Sequence, residues 1–406
     1  MAILHPFRAL RPVPEKAAEV ACVPYDVIDT EEARKLAEGK PLSFLHVIRP
    51  EIDLPEGTDE HDDAVYEKGA ENLWKYARSP YALQEAAPSV YVYRLIMDGR
   101  AQTGIFGCVS VADYDNDVIL KHEKTRPDKE DDRTRHILTQ RAHAEPVMLT
   151  FRDDEAVLRI LEATQAQTPL YDLTADDGVR HTIWRVEDPQ ALVAAFERID
   201  RLYVADGHHR CKAASRAAET LRQTEPNPPP EAEYFPAVLF PMGQMHIMAY
   251  NRIIKKLPVA PAEFLAQLRQ RFDVTSGADP VPDQKGVVSI YLDGTWHRLV
   301  LPPTQRGTVA DRLDVGRLSE HILEPMLGIT NPRTDPNIGF VGGIRGTQEL
   351  ERLVDSGKAQ MAVSMYPTSI EELVAVSDAG LLMPPKSTWF EPKLRSGLLV
   401  HLFEDL

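Results

Sequence analysis

The chain has 406 residues, 43% hydrophobic and 27% charged, which is room for two domains or one large one of ordinary globular composition. Its formal net charge of −16 argues against broad nucleic-acid binding but leaves room for a local basic pocket that takes a nucleotide. No apolar run reaches membrane-spanning length, the opening MAILHPFRALRP has no signal-peptide core, and Cys22, Cys108 and Cys211 show neither zinc nor disulfide spacing, so a cytoplasmic protein is expected.

HPFRALRPVP carries Arg8 and Arg11 between prolines and reads as extended or turn-like. In ACVPYDVID, Tyr25 and Asp26 follow Pro24, and a helix is predicted from about Thr30 with Gly39 at its end. PLSFLHVIRPE reads as a strand. A helix follows over about Asp62 to Ala77, with Tyr66, Ala70, Leu73 and Trp74 on one face. SVYVYRLIMDGRAQTGIFGCVSVADY is a hairpin turning at Asp98-Gly99. In VILKHEKT a strand delivers His122 and Glu123 to a loop, and a highly charged helix is predicted from about Asp128 to His143. Asp128 to Asp132 reads as a solvated face. Glu123 stands apart at the loop entrance, where a glutamate beside a histidine can serve as a general base.

GVRHTIWRV reads as a strand, and Asp188 caps a helix with Pro189 at its first position. Then comes RLYVADGHHRCKAASRAAETL. Leu202 to Ala205 form a short buried strand. Asp206 is the expected N-cap, and Gly207 lets backbone approach a ligand. From His208 the apolar and small residues Cys211, Ala214, Ala217, Ala218 and Leu221 recur at helical spacing. His208, His209 and Arg210 then occupy the first turn, where unbonded N–H groups and the positive dipole end favour an anion. A lone histidine there would be an ordinary solvated turn residue; three phosphate-competent side chains in a row favour a phosphate cradle. Metal binding by His208 and His209 is less favoured, because adjacent helical residues point about 100° apart.

Glu225 to Pro236 is a proline-rich loop, and FPAVLFPMGQMHIMAYNRIIKKL holds two strands broken at Gly243. From about Pro258 the organisation changes. PAEFLAQLRQRF is a helix, VVSIYLDGTWHRLVL a hairpin on Asp293-Gly294, LSEHILEPML a helix and GFVGGIRG a turn. A helix capped by Thr347, a strand AQMAVSMYP and a helix with a Thr368/Glu371 capping box follow. In MPPKSTWFEPKLRSGL, the triplet Lys386-Ser387-Thr388 suggests a phosphate loop, although no glycine precedes it and Walker A is absent. Lys393 and Arg395 lie in the same stretch. Irregular alternation with several hairpins favours an α+β or mixed α/β fold, divided into a catalytic region 1–257 and a C-terminal α/β region 258–406.

PFRALRP, VPYDVI, PLSFLHVIRPE, KHEKT with Asp132-Arg133, ADGHHR and MPPKSTWFEPKLRSGL occur in this order, and together they resemble domain of unknown function family 1015 over nearly the whole chain. One departure is Tyr250-Asn251-Arg252, where that family usually has Thr-His-Arg. The ADGHHR stretch is also similar to motifs of the ParB/sulfiredoxin-like group, which includes kinases of free L-serine. The resemblance implies a ParB/sulfiredoxin-like core with mixed sheets, ATP or ADP as phosphoryl donor, Mg2+, and phosphorylation of free serine to O-phosphoserine. It implies Glu123 as base, with Asp206 and His208 catalytic and Asp206 also on the metal. Gly207, His209, Arg210, Lys386, Ser387 and Thr388 would hold nucleotide or phosphate, and Arg8, Arg11, Asp26 and His122 the substrate. No nucleic acid or membrane partner is implied. Two other classes stay open: a ParB-like nucleotide-binding regulator, and a metal-dependent hydrolase using His122, Glu123, His208 and His209.

Overall fold

The computed structural model describes residues 1–406. The chain divides into a first unit, Met1–Met245 with Pro392–Leu406, and a second unit, His246–Glu391. Both are mixed α and β, and no helix is long and apolar enough to cross a membrane.

The first unit is built on a nine-stranded sheet. Its strands are β1 (Leu4–His5), β2 (Tyr91–Met97), β3 (Arg100–Ser110), β4 (Ile119–Leu120), β5 (Val147–Phe151), β6 (Tyr171–Thr174), β7 (Arg180–Arg185), β8 (Leu202–Asp206) and β9 (Tyr234–Pro241). They lie in the order β4-β8-β5-β9-β3-β2-β7-β6, with β1 on β3. Only β4 with β8 and β5 with β9 run parallel. The Asp98-Gly99 turn joins β2 and β3, with Asp98 left-handed as such a tight turn requires. One face of the sheet carries the main core, including Val92, Ile105, Leu149, Phe151, Leu202 and Val204.

The helix His208–Thr224 follows β8 directly. Cys211, Ala214 and Ala218 bury it against the sheet core, while Ala213, Ala217 and Leu221 meet Ile137 of the helix Pro127–Gln140. Small side chains at helical spacing on two faces let it pack closely on both neighbours.

In the second unit a six-stranded antiparallel sheet is formed by β10 (Tyr250–Ile254), β11 (Val274–Ser276), β12 (Val287–Leu292), β13 (Thr295–Val300), β14 (Ile338–Gly342) and β15 (Met361–Met365), in the order β11-β13-β12-β15-β10-β14. Its core gathers Ile254, Phe264, Ile290, Leu299, Leu318 and Met361.

Several local expectations change. Leu45–Ile48 is a helical turn and not a strand, followed by a tighter turn at Pro50–Asp53. Leu45, Val47 and Ile48 are all buried, and so short an apolar run has no period that separates the two states. The charged helix ends at Gln140 because Arg141 turns left-handed at φ 56°, which puts His143 in a strand pair with His401. The capping box is Ser369/Glu372, one residue later than predicted. Thr347 lies inside its helix, which begins at Gly346. The stretch from Tyr234 to Ile254 holds three strands, not two. Asp206 ends β8 and caps nothing; Gly207, at φ 98°, takes the N-cap position.

Candidate active site

The carboxyl end of β8 is irregular. Val204 pairs with Leu149 and Asp206 with Met148, so Ala205 is an extra residue in the ladder. Strict alternation would turn Asp206 toward the core face that holds Leu202 and Val204. The bulge moves it to the opposite face. There it meets Lys393, whose Nζ lies 2.9 Å from Oδ2; the two side chains are 14% and 30% exposed. Burial works to raise the Asp206 carboxyl, but Lys393 and Arg210 outweigh it and hold it far below the usual carboxylate range.

Gly207 is required twice over. Its backbone is left-handed, and a Cβ would stand 3.1 Å from Val147 and 3.2 Å from the Arg210 guanidinium. Cys211 is the first residue to donate back along the helix, to the Gly207 carbonyl at 2.9 Å. The N–H groups of His208 to Arg210 therefore have no partner within the helix itself.

The two histidines that follow fasten a second segment. His208 Nε2 accepts the His122 N–H at 3.4 Å, and His209 Nε2 accepts the Arg126 N–H at 3.2 Å. Glu123 lies between those two anchors, half-buried in the loop. The His122 and His208 rings meet edge to face at 4.4 Å. Burial pushes His122 down to about 4 and His208 well below the ordinary imidazole range, so both are neutral near pH 7. Of the three phosphate-competent side chains read from the sequence, His208 thus acts as an acceptor that holds a loop.

Arg210 carries its charge into a buried network. It donates to the Pro146 carbonyl, and its Nη2 lies 3.8 Å from Asp26. Glu145 accepts the Tyr25 N–H at 3.1 Å and the Ser396 hydroxyl at 3.2 Å, and stands 3.8 Å from Arg133. Burial pushes the Glu145 carboxyl up, against the pull of Arg210 and Arg133. Arg133 covers the Tyr25 ring at 3.9 Å and pairs with Asp132 at 2.7 Å. Arg133, Glu145 and Arg210 border a cavity of about 40 Å³, room for water-sized groups.

Asp132, expected on a solvated face, is buried, because its side of the helix turns to Tyr66, whose hydroxyl donates to it at 3.0 Å. Burial favours its neutral form, yet Arg133 and His136 bring the carboxyl down to about 2. A depressed carboxyl adds stability that is complete above the unfolded value of about 3.9 and disappears as pH falls through the folded value. Thermal denaturation between about pH 5 and pH 2 should therefore show Asp132→Asn losing its deficit against the wild type, on the order of 2 kcal/mol, toward the acid end.

The structure brings together Asp26, His122, Glu123, Asp206, Gly207, His208, His209 and Arg210. It does not bring Arg8 and Arg11 to them. Arg8 bonds the Glu85 carbonyl and Asp405, and Arg11 bonds Glu85 and Tyr171. Lys386, Ser387 and Thr388 belong to the second unit. Sequence reasoning passed over Glu145 and assigned no role to Arg133 or Lys393. Glu145 precedes Pro146 at the entrance of β5 and Lys393 follows Pro392, so each sits at a stiff, extended junction, a signal shared by many loop residues. No group of three or more His, Cys, Asp or Glu side chains could hold a metal ion, so His122, Glu123, His208 and His209 are not a metal-binding set. The assembled groups can offer one loop carboxylate, a helix amino end and a fixed cation pair.

The family model described as protein of unknown function (DUF1015) matches residues 4–316. Among solved structures the chain is similar to a free serine kinase in complex with AMP, at 11% identity over 72% of this chain and 91% of that chain, with a TM-score of 0.37. It is similar to SbnI with C-terminal truncation from Staphylococcus aureus at 15% identity, over 73% and 87% of the two chains, with a TM-score of 0.38. A conserved hypothetical protein from Pyrococcus furiosus gives 10% identity, 72% and 95% coverage and a TM-score of 0.35. Likeness at this level carries no functional weight. No curated protein matches the chain.

Proposed function

We propose that this chain, which belongs to the DUF1015 family, is a nucleotide-dependent phosphotransferase whose acceptor is the hydroxyl of free L-serine. The observation that carries this reading is the fastening of the Glu123 loop to the start of the His208–Thr224 helix through His208 and His209. The loop that carries Glu123 is thereby held at a helix amino end, and a carboxylate and such an end are two things that phosphoryl transfer to an alcohol asks of a protein. In the reaction the serine Oγ forms a bond to the terminal phosphorus of ATP, the bond from that phosphorus to the bridging oxygen breaks, and ADP leaves with the electron pair. With ADP as donor the leaving group is AMP. Glu123 takes the hydroxyl proton. The helix-start N–H groups, together with Arg210, face the charge on the phosphoryl oxygens.

Asp206, kept ionised by Lys393, is in the state a metal ligand needs. It is the one carboxylate we assign to Mg2+, whose remaining ligands would be phosphate oxygens and water. When bound, that ion neutralises phosphate charge. Asp26 is assigned to the serine ammonium. The engagement of Arg8 and Arg11 elsewhere leaves the serine carboxylate to groups other than these two. Lys386, Ser387 and Thr388 are assigned to phosphate.

The test incubates the full chain with Mg2+, a panel of free amino acids, and ATP or ADP, then measures phosphoamino acids and released nucleotide. O-phosphoserine formed in step with ADP or AMP is the expected result. No phosphoamino acid with either nucleotide would remove the kinase reading.

A further inference from the structure

The nine-stranded sheet of the first unit ends in an open edge strand, β6, which pairs with β7 alone. Just beyond it, Ala175 donates to the Val179 carbonyl at 2.9 Å. Bonding alternates along an antiparallel ladder, and Thr174 with Arg180 is the next pair. The N–H and C=O of Thr174 therefore point outward from the sheet edge. Leu173, Thr174 and Ala175 line a cavity of about 510 Å³, a volume that suits a small ligand or a few residues of peptide. Leu36, 40% exposed, and the half-buried Leu42 line it as well.

A buried cation in the same lining is the second observation. Arg395 is 5% exposed. Its backbone is fixed on both sides: its N–H donates to the Tyr93 hydroxyl at 3.3 Å, and Ser396 exchanges backbone bonds with Cys22 at 2.9 and 3.2 Å. Only its Nη2 has a side-chain partner, Asp177, in the turn after β6. Nε and Nη1 donate to no group, and neither is sealed from solvent. A guanidinium out of water with N–H groups to spare is costly until an acceptor takes them.

The surrounding charge selects the acceptor. Lys40 and Arg395 share the lining with three acids, Glu19, Asp176 and Asp177. A phosphate dianion meets repulsion in that balance, whereas a single carboxylate can be held by Arg395. A free aliphatic acid would use Arg395 and the leucines and leave the strand edge unbonded. An extended peptide uses all three. Asp177, which marks the position of the guanidinium, is three residues from Thr174, so one peptide end can reach both.

We propose that this cavity docks the carboxyl end of an extended peptide with apolar last residues, its carboxylate on Arg395 and its backbone paired to Thr174. None of these residues is assigned to phosphoryl transfer, and the site stands without that reaction.

The experiment follows fluorescence anisotropy of dye-labelled tetrapeptides with the full chain. They end in Ala, Val, Leu or Phe, each as the free acid and as the amide. At least one free acid should bind, and its amide about tenfold more weakly. Arg395→Gln should abolish the difference between acid and amide. Thr174→Pro should weaken the acid about threefold, because proline removes the outward donor and spares the ladder. Lys40→Ala, which removes an exposed cation of the same cavity, should bind as the wild type does. Octanoate should compete less well than the unlabelled peptide. Where Arg395→Gln fails to fold, the acid and amide comparison and Thr174→Pro decide. The proposal is overturned by no binding of any peptide, by equal binding of acid and amide, or by equal losses in Lys40→Ala and Arg395→Gln. Octanoate competing as well as the peptide, with Thr174→Pro unchanged, also overturns it, because the strand edge then takes no part.

Discussion

Glu123→Gln is expected to lower the rate of phosphoserine formation about 10²–10⁴-fold while leaving nucleotide affinity nearly unchanged. Glutamine keeps the size of the side chain and can still bond its neighbours, but it cannot accept the serine proton. The backbone anchors on either side, from His122 to His208 and from Arg126 to His209, do not involve the Glu123 carboxylate and should persist in the variant. Steady-state phosphoserine formation and a nucleotide titration on the same preparation make the comparison. Wild-type turnover in Glu123→Gln would take Glu123 out of the mechanism and leave Asp206 as the carboxylate to examine. A parallel loss of nucleotide affinity would mean that the substitution moved the loop instead of removing a base.

Arg210→Ala should be the most damaging substitution on the helix, and Arg216→Ala a mild one. The Arg210 side chain is 10% exposed, and its charge acts on Asp26, Glu145 and Asp206 together. Removing it leaves three acids facing only Arg133 and Lys393. The Glu145 carboxyl, already raised by burial, should rise further. Loss of one partner from a buried charge network costs about 3–5 kcal/mol, and denaturant unfolding should read that range. Arg216 pairs with Glu130 and Asp131, and its side chain is 33% exposed. Its loss should cost about 0–1 kcal/mol. Nucleotide affinity should follow the same order, because dipole and N–H effects fade beyond the first turn. Equal losses at both positions would point to a diffuse charge effect and against a local site.

By itself the sequence determined the elements whose period is long or whose turn chemistry is specific. The Asp98-Gly99 and Asp293-Gly294 hairpins needed only the left-handed residues at their turns. The helix from His208 needed only its alanine spacing and the glycine before it, since both signals are local. Family membership was legible in the ordered motifs for the same reason: each is a run of neighbouring residues. Only the tertiary structure decided what those motifs do to one another. Ala205 looks like any strand residue, yet its bulge turns Asp206 from the core face to Lys393, 187 positions away in the chain. His208 reads as a phosphate-competent residue in the sequence and is a neutral loop anchor in the fold, because a pKa follows burial and neighbours, not residue type. Asp132 reads as part of a solvated charge run, and Tyr66 and Arg133 bury it. Arg8 and Arg11 lie in the motif-rich opening, and Glu85 takes them both. Partners brought together from distant segments leave no periodic trace, so long-range pairing is the information that a single sequence, read locally, does not hold.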